Sequence, residues 1–293
     1  MVERPRRQSA GPMHAEFPSR TALGAALYRA AHQLVDKPPV FEDPLALRIV
    51  GEAMAEGLRG GRERHGLPQA APLRAFIAMR SRYAEDSFAQ DHDRGTRQYV
   101  LLGAGLDTFA YRQRHRGVTV FEVDHPATQA WKRRLLAESG IAIPESAVYA
   151  PVDFEHESLR DGLVRARFDF ARRAFFAWLG VTPYLSADAI RRTLFFVAAL
   201  PSQSEIVFEY AEPRNGDDDA PNRFFAAMSA RVAAAGEPFR SFFAPQEMAT
   251  MLRETGFGEI EDLDCAALNA RYFAGRADGL CLRGSAHMIR ART

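Results

Sequence analysis

Tyr99-Val100-Leu101-Leu102-Gly103-Ala104-Gly105-Leu106-Asp107-Thr108 reads as a buried strand that breaks into a glycine turn. A short apolar run bounded by glycines suits a strand covered on both faces. Nineteen residues past Gly105, Val118-Thr119-Val120-Phe121-Glu122-Val123-Asp124 reads as a second strand closed by a carboxylate. Strand, Gly-x-Gly turn, helix and acid-ended strand make half of a nucleotide-binding α/β unit. Its glycines admit a ligand close to the backbone, and its acid is placed for a ribose hydroxyl pair.

The third glycine of the dinucleotide fingerprint is absent, since Thr108 stands in its place. A side chain there crowds the close helix–strand packing that the third glycine serves. No basic residue follows in the turn to meet a pyrophosphate, and Asp107 repels one. A cofactor with an adenosine and no phosphate fits better, and S-adenosyl-L-methionine is the common one. The plainer reading is that any tight strand-to-helix turn uses two glycines.

Composition bounds the rest. The 293 residues suffice for one large α/β domain or two smaller ones, and 47% hydrophobic with 26% charged residues is ordinary for a globular chain. A net charge of +1 gives no global attraction to nucleic acid or to an anionic membrane. Cys265 and Cys281 lie far apart without a metal-ligand pattern, so no metal and no disulfide framework is expected, and the cytoplasm is the expected compartment. No apolar run approaches the roughly 20 residues that span a bilayer. The polar, basic segment 1–18 is expected as a loosely ordered tail and not as a secretory signal.

Residues 19–293 are expected to form a single domain: a helical cap over 19–95, then an α/β core over 96–293 with a lid insertion at about 212–245. In the cap, Leu23, Leu27, Ala30, Ala31 and Leu34 recur at helical spacing within Thr21–Val35. Asp43-Pro44 reads as an N-cap and first-turn proline opening a helix through Leu47, Ile49 and Val50. A glycine-rich loop spans Gly57–Pro72 and a third helix Pro72–Gln90. Strands are expected at Tyr99–Leu102, Val118–Val123, Ala147–Val152, Arg173–Leu179 and Glu205–Tyr210. Helices are expected around Thr128–Ser139, Leu159–Ala166, Ala187–Leu200, Pro221–Ala235 and Pro245–Thr255. The alternation argues for a mostly parallel sheet covered on both faces. Two last strands, Gly258–Leu263 and Leu280–Ile289, form a hairpin-like antiparallel edge and bring the count to seven.

Ligands of such sheets lie beyond the carboxyl ends of the strands. The ends read here are Gly103 and Gly105, Asp124, Asp153-Phe154, and Trp178-Leu179-Gly180-Val181-Thr182-Pro183-Tyr184-Leu185. Asp153 beside Phe154 suits an adenine, the acid accepting from the exocyclic amine; Asp153 as a helix N-cap is the plainer alternative. Glu122 either orients the turn or is a half-buried acid with a local partner. Trp178 and Tyr184 are as readily core aromatics.

Arg80-Ser81-Arg82-Tyr83-Ala84-Glu85-Asp86, Gly-Ala-Gly-Leu-Asp-Thr, Glu-Val-Asp-His-Pro, Val-Asp-Phe and Trp-Leu-Gly-Val-Thr-Pro-Tyr-Leu together resemble the leucine carboxyl methyltransferase family, in its bacterial branch. The resemblance runs over roughly residues 20–290. It implies an α/β, class I methyltransferase (Rossmann-like) fold and an S-adenosyl-L-methionine-dependent methyltransferase. It implies Arg80, with Arg82 as the fallback, on the methionine carboxylate, which a guanidinium grips through two parallel hydrogen bonds. It also implies Gly103 in the turn, Asp124 on the ribose, and Asp153 with Phe154 on the adenine. Eukaryotic members carry a glutamate near the end of the fourth strand, where this chain has Leu179, so their protein-phosphatase substrate does not carry over.

The expected reaction is O-methylation of a carboxylate or hydroxyl of a small molecule. A carboxylate acceptor is already ionised and needs no base, whereas a phenol or alcohol needs one, for which His125, His287 and Glu122 are the candidates. No catalytic residue is assigned. Tyr28, Phe224, Phe225, Phe239, Phe242 and Phe243 are pocket-lining candidates or plain core. The competing readings are a nicotinamide-dependent oxidoreductase and a non-catalytic cofactor-binding protein of the same fold.

Overall fold

The computed structural model describes residues 19–61, 64–153, 156–213, 229–230, 233–234 and 237–293. The expected tail 1–18, Phe154, Phe224, Phe225 and most of the expected helix Pro221–Ala235 lie outside the described residues.

Seven strands form one sheet: β1 (Gln98–Leu102), β2 (Thr119–Asp124), β3 (Ala147–Pro151), β4 (Phe175–Trp178), β5 (Glu205–Ala211), β6 (Glu259–Leu263) and β7 (Ala286–Arg292). Their order is β3-β2-β1-β4-β5-β7-β6. The pairs among β1 to β5 are parallel, while β7 runs antiparallel between β5 and β6. The chain leaves β1 toward β2 on one side and later returns to place β4 on the other. The strand order therefore reverses at β1, which opens the crevice where such sheets take ligands.

Every residue of β1 and β4 is buried, as a strand covered on both faces requires. Val100, Leu102, Phe176, Phe208 and Ile289 face α8 (Ala187–Ala198) and α9 (Pro245–Thr255). Tyr99, Leu101, Phe175, Val207 and Met288 face α4 (Ala71–Asp93) and α10 (Cys265–Tyr272). On that second face Phe88 meets Tyr99 edge-on at 4.7 Å, and Tyr99 stacks on Phe109 at 4.2 Å. Offset and edge-on aromatic pairs of this kind add about 0.5–1.5 kcal/mol each beyond area burial.

The cap comprises α1 (Arg20–Val35), α2 (Ala46–Ile49), α3 (Glu52–Arg59) and α4. Helix α2 opens at Ala46 with Leu45 at its N-cap, so Asp43 and Pro44 lie in the turn before it and not at the N-cap and first turn expected. Asp43 Oδ1 accepts from Leu45 N, but its carboxylate is buried and also takes Arg29 Nε and the Thr108 hydroxyl, each at 2.7 Å. Burial opposes the Asp43 charge, yet Arg29 and Arg112 more than offset it and hold its carboxyl below the usual range. Arg29 also donates to Leu106 O at 2.6 Å. The cap is thus tied to the turn after β1 by charge-assisted hydrogen bonds.

Several elements differ from expectation; the loop expected over Gly57–Pro72 begins inside α3 and holds short 3-10 turns at Arg64–Gly66 and Pro68–Ala70. β4 is confined to Phe175–Trp178, since Arg173 does not pair in the ladder and Gly180 turns at φ 75°. β7 starts at Ala286, not Leu280, after Gly284 at φ 111°. Helix α10 stands between the last two strands, where no element was assigned, and Asp264 caps it by accepting from Ala267 N. The last two strands pair antiparallel as expected, with β6 outermost.

Candidate functional site

The carboxyl ends of β1, β2, β4 and β5 meet in one crest. After β1 the chain turns through Gly103 at φ 69° and Gly105 at φ 46°, conformations that L side chains adopt rarely. A methyl group added at Gly103 would lie 2.4 Å from Val181 Cγ2, and one at Gly105 would lie 3.1 Å from Ala22 Cβ. Bare backbone at Gly103 is therefore also what lets the β4 turn pack against the β1 turn.

Asp124, closing β2, accepts Gly105 N–H through Oδ2 at 2.6 Å and its neighbour His125 N–H through Oδ1 at 2.7 Å. Burial raises its carboxyl above the ordinary range, against the pull of those two backbone donors. Each carboxylate oxygen keeps a second acceptor site. Beside it, after β3, the Asp153 carbonyl accepts from His156 N and Glu157 N, and Asp153 Oδ2 lies 2.8 Å from His156 Nδ1. The cap of α7 (Leu159–Arg165) is Ser158, so Asp153 does not serve as that N-cap.

Arg80 and Arg82 point different ways from α4. Arg82 is exposed and held by Asp86, both carboxylate oxygens lying 2.8 Å from its Nε. Arg80 reaches inward, where Nη1 donates to Glu209 Oε1 at 2.7 Å, and Glu209 Oε1 also accepts Gly180 N–H. Glu209, on β5, is buried, and its Oε2 has no hydrogen-bond partner. Burial pushes the Glu209 carboxyl up, while Arg80 and the Gly180 amide pull it down. The Thr182 hydroxyl donates to Glu209 O, which fastens the β4 turn onto β5. Tyr184 lies beside this group; burial raises its phenol to about 12. Phe239 packs on Tyr184 with ring centroids 5.3 Å apart, and Ser19, at the start of α1, donates to Glu237 Oε1 at 3.1 Å.

The three candidate bases are all engaged. Glu122 is buried under Asp124 with Lys132 Nζ 2.7 Å from Oε1 and the Tyr111 hydroxyl 2.9 Å from Oε2, so it is the acid with local partners. His125 Nδ1 accepts from Ala127 N and caps α6 (Pro126–Glu138). His287 lies between two carboxylates, Asp262 Oδ1 at 2.7 Å from Nδ1 and Glu212 Oε1 at 3.0 Å from Nε2, with Tyr210 stacked on its ring. Of the aromatic candidates, Tyr28 and Phe243 are buried in apolar clusters, and Phe239 and Phe242 line the side near Tyr184. A groove of about 510 Å³ lies away from the crest, between Pro38, Arg82, Tyr272 and Arg276.

Glu209 was missed by sequence reasoning. The signal available was an acid inside an otherwise apolar strand, Ile206-Val207-Phe208-Glu209-Tyr210. Nothing local pairs it with Arg80, 129 residues away.

With this geometry in hand, known proteins can be set beside it. The model of the leucine carboxyl methyltransferase family matches residues 22–198. A Bacillus subtilis protein provisionally named S-adenosyl-L-methionine-dependent methyltransferase YktD is 31% identical, over 93% of this chain and 97% of its own. A similarly named protein of Mycolicibacterium smegmatis is 33% identical over 75% of this chain and 70% of its own. A solved structure described as a provisional methyltransferase of Thermobifida fusca superposes with a TM-score of 0.54 at 17% identity, covering 96% of each chain. The chain belongs to the leucine carboxyl methyltransferase family. It is an S-adenosyl-L-methionine-dependent methyltransferase of class I fold, and its substrate is a methyl acceptor. Among the described residues no helix is long and apolar enough to cross a membrane.

Proposed function

We propose that the protein methylates an oxygen of a small molecule, a carboxylate in preference to an alcohol. The observation that carries this is the engagement of the three candidate bases: Glu122 by Lys132 and Tyr111, His125 as a helix cap, His287 between two acids. A carboxylate arrives ionised and needs no base, so the engagement of all three candidate bases suits it. An acidic phenol is the second acceptor this allows.

The cofactor supplies an electrophilic methyl on a sulfonium, which is displaced in line by the acceptor oxygen. The work left to this chain is binding, alignment and exclusion of water, of which positioning is a large part. In this reading Asp124 takes the ribose hydroxyls through its remaining acceptor sites, and Asp153 with Phe154 takes the adenine. Gly103 and Gly105 bring backbone to the amino-acid end of the cofactor, and Arg80 grips its carboxylate. The orphan oxygen of Glu209 beside Arg80 supports a charged tail at that end. Tyr184 and Phe239 flank the acceptor.

In this reading residues 19–293 form one domain. The test is transfer of labelled methyl from S-adenosyl-L-methionine to a panel of small carboxylic acids, phenols and peptides with a free C-terminus. Label on small acids that is released by mild base, as methyl esters are, is the expected result. Label confined to peptide C-termini sinks the small-molecule reading, and label stable to base on phenols alone sinks the carboxylate reading.

A further inference from the structure

Arg80 and Glu209 are an unusual pair to find at the end of a parallel sheet. Both are largely buried, their side chains 13% and 4% exposed, and Oε1 of Glu209 is fully used by Arg80 and the Gly180 amide. Oε2 of the same carboxylate is buried with no partner. A desolvated carboxylate oxygen left unpaired is costly, so its retention calls for an explanation in a bound state.

The surroundings say what kind of group would answer it. The pair lies at Gly180, whose φ of 75° leaves no room for a side chain: an added methyl would meet Arg80 Nη2 at 2.8 Å. Val181, next in the chain, touches the Gly103 turn, so the pair faces the amino-acid end of the cofactor. That end is a zwitterion, a carboxylate and an ammonium on one carbon. A single cation such as Arg80 answers only half of it. A neutral Arg–Glu pair laid against a zwitterion alternates four charges, which satisfies both halves without leaving net charge in a dry site.

Resting on the cofactor placement proposed above, we propose that Arg80 and Glu209 form a two-charge clamp, Arg80 on the carboxylate of S-adenosyl-L-methionine and Glu209 Oε2 on its ammonium. Glu209 then discriminates for the amino acid and does more than hold Arg80 still.

The test uses calorimetry on the full chain with three thioethers: S-adenosyl-L-homocysteine, its analogue lacking the amino group, and its analogue lacking the carboxylate. Glu209→Gln keeps the shape and an acceptor for Gly180 but removes the charge. It should weaken S-adenosylhomocysteine about 10- to 100-fold, the span expected for a charged hydrogen bond. It should weaken the decarboxylated analogue similarly and leave the deaminated one within about threefold. Arg80→Gln should show the mirror pattern. If Glu209→Gln weakens the deaminated analogue as much as the parent, Glu209 only positions Arg80 and the clamp is overturned. Equal affinity of wild type and Glu209→Gln for the parent also overturns it. Adenosine titrated into each variant reports whether the crest is still folded. If Asp124→Asn and Arg80→Gln both leave S-adenosylhomocysteine binding intact, the cofactor placement itself fails, independently of Glu209.

Discussion

Asp124 Oδ2 accepts the Gly105 amide at 2.6 Å, which locks the end of β2 to the turn after β1. The bond keeps the carboxylate oriented across the crest, where the proposed placement puts the ribose. Asp124→Ala should abolish S-adenosyl-L-methionine binding by calorimetry while the protein stays folded. Unchanged affinity would mean the sugar is held elsewhere.

The same acid sets a pH dependence. Its carboxyl is raised above the ordinary 3.8 by burial, so in the free protein the proton is held more tightly than in the unfolded chain. The sign follows from linkage: its contribution to stability is greatest below 3.8 and is lost as pH rises through the folded value. In the proposed placement cofactor binding runs the opposite way, because only the ionised acid accepts two ribose hydroxyls. Affinity should therefore fall on acidification through the raised value, while Asp124→Asn should be weak and nearly flat over the same range.

Gly103 faces two constraints at once, a positive φ and Val181 Cγ2 at 2.4 Å from any added methyl. Gly103→Ala should cost about 1–3 kcal/mol by denaturant melts. Val181→Ala in that background should recover the part due to the clash and leave the part due to φ. Full recovery would show that backbone strain contributes nothing.

How much of this was legible in the chain depends on sequence distance. The Gly103, Gly105 and Asp124 pattern could be read because strand, turn and strand lie within one local unit. Thr108 could be read as standing in place of the third fingerprint glycine, but its partner, Asp43, could not be seen, since 65 residues separate them. Asp43 itself carries a sound local signal, Asp-Pro before a helix, and tertiary ion pairs with Arg29 and Arg112 add the larger role. Glu209 meets Arg80 only because β5 lies beside β4 and α4 covers both. Helix α10 was missed because its eight residues show little beyond Asp264 to announce a helix.

Lys132 and Glu122 are each 1% exposed and 2.7 Å apart, with Tyr111 on the second carboxylate oxygen and Tyr149 bonded to Tyr111. Burial raises the Glu122 carboxyl, and Lys132 is the main force pulling it back down. Lys132→Met removes the cation and strands that acid. The cost should be about 3–5 kcal/mol, as for other broken buried pairs. Replacing both, Lys132→Met with Glu122→Gln, should recover part of it. If the single variant melts like wild type, the pair is not the desolvated contact described.

His287 offers a check on the carboxylate reading. Burial lowers its basicity, but Asp262 and Glu212, one on each ring nitrogen, more than reverse this and raise it above 6.5. A group raised on folding stabilises fully below the unfolded value and loses that contribution as pH rises through the folded one. Thermal stability should therefore decline from about pH 6.5 upward in the wild type. His287→Gln should be less stable at pH 6, by about 1–3 kcal/mol, and should lack that part of the decline. Methyl transfer to a carboxylate should survive the substitution within a few-fold, since both ring nitrogens are held by acids. A loss of kcat by a hundredfold or more with KM unchanged would make His287 the base after all, with Glu212 as the partner that gives way to substrate.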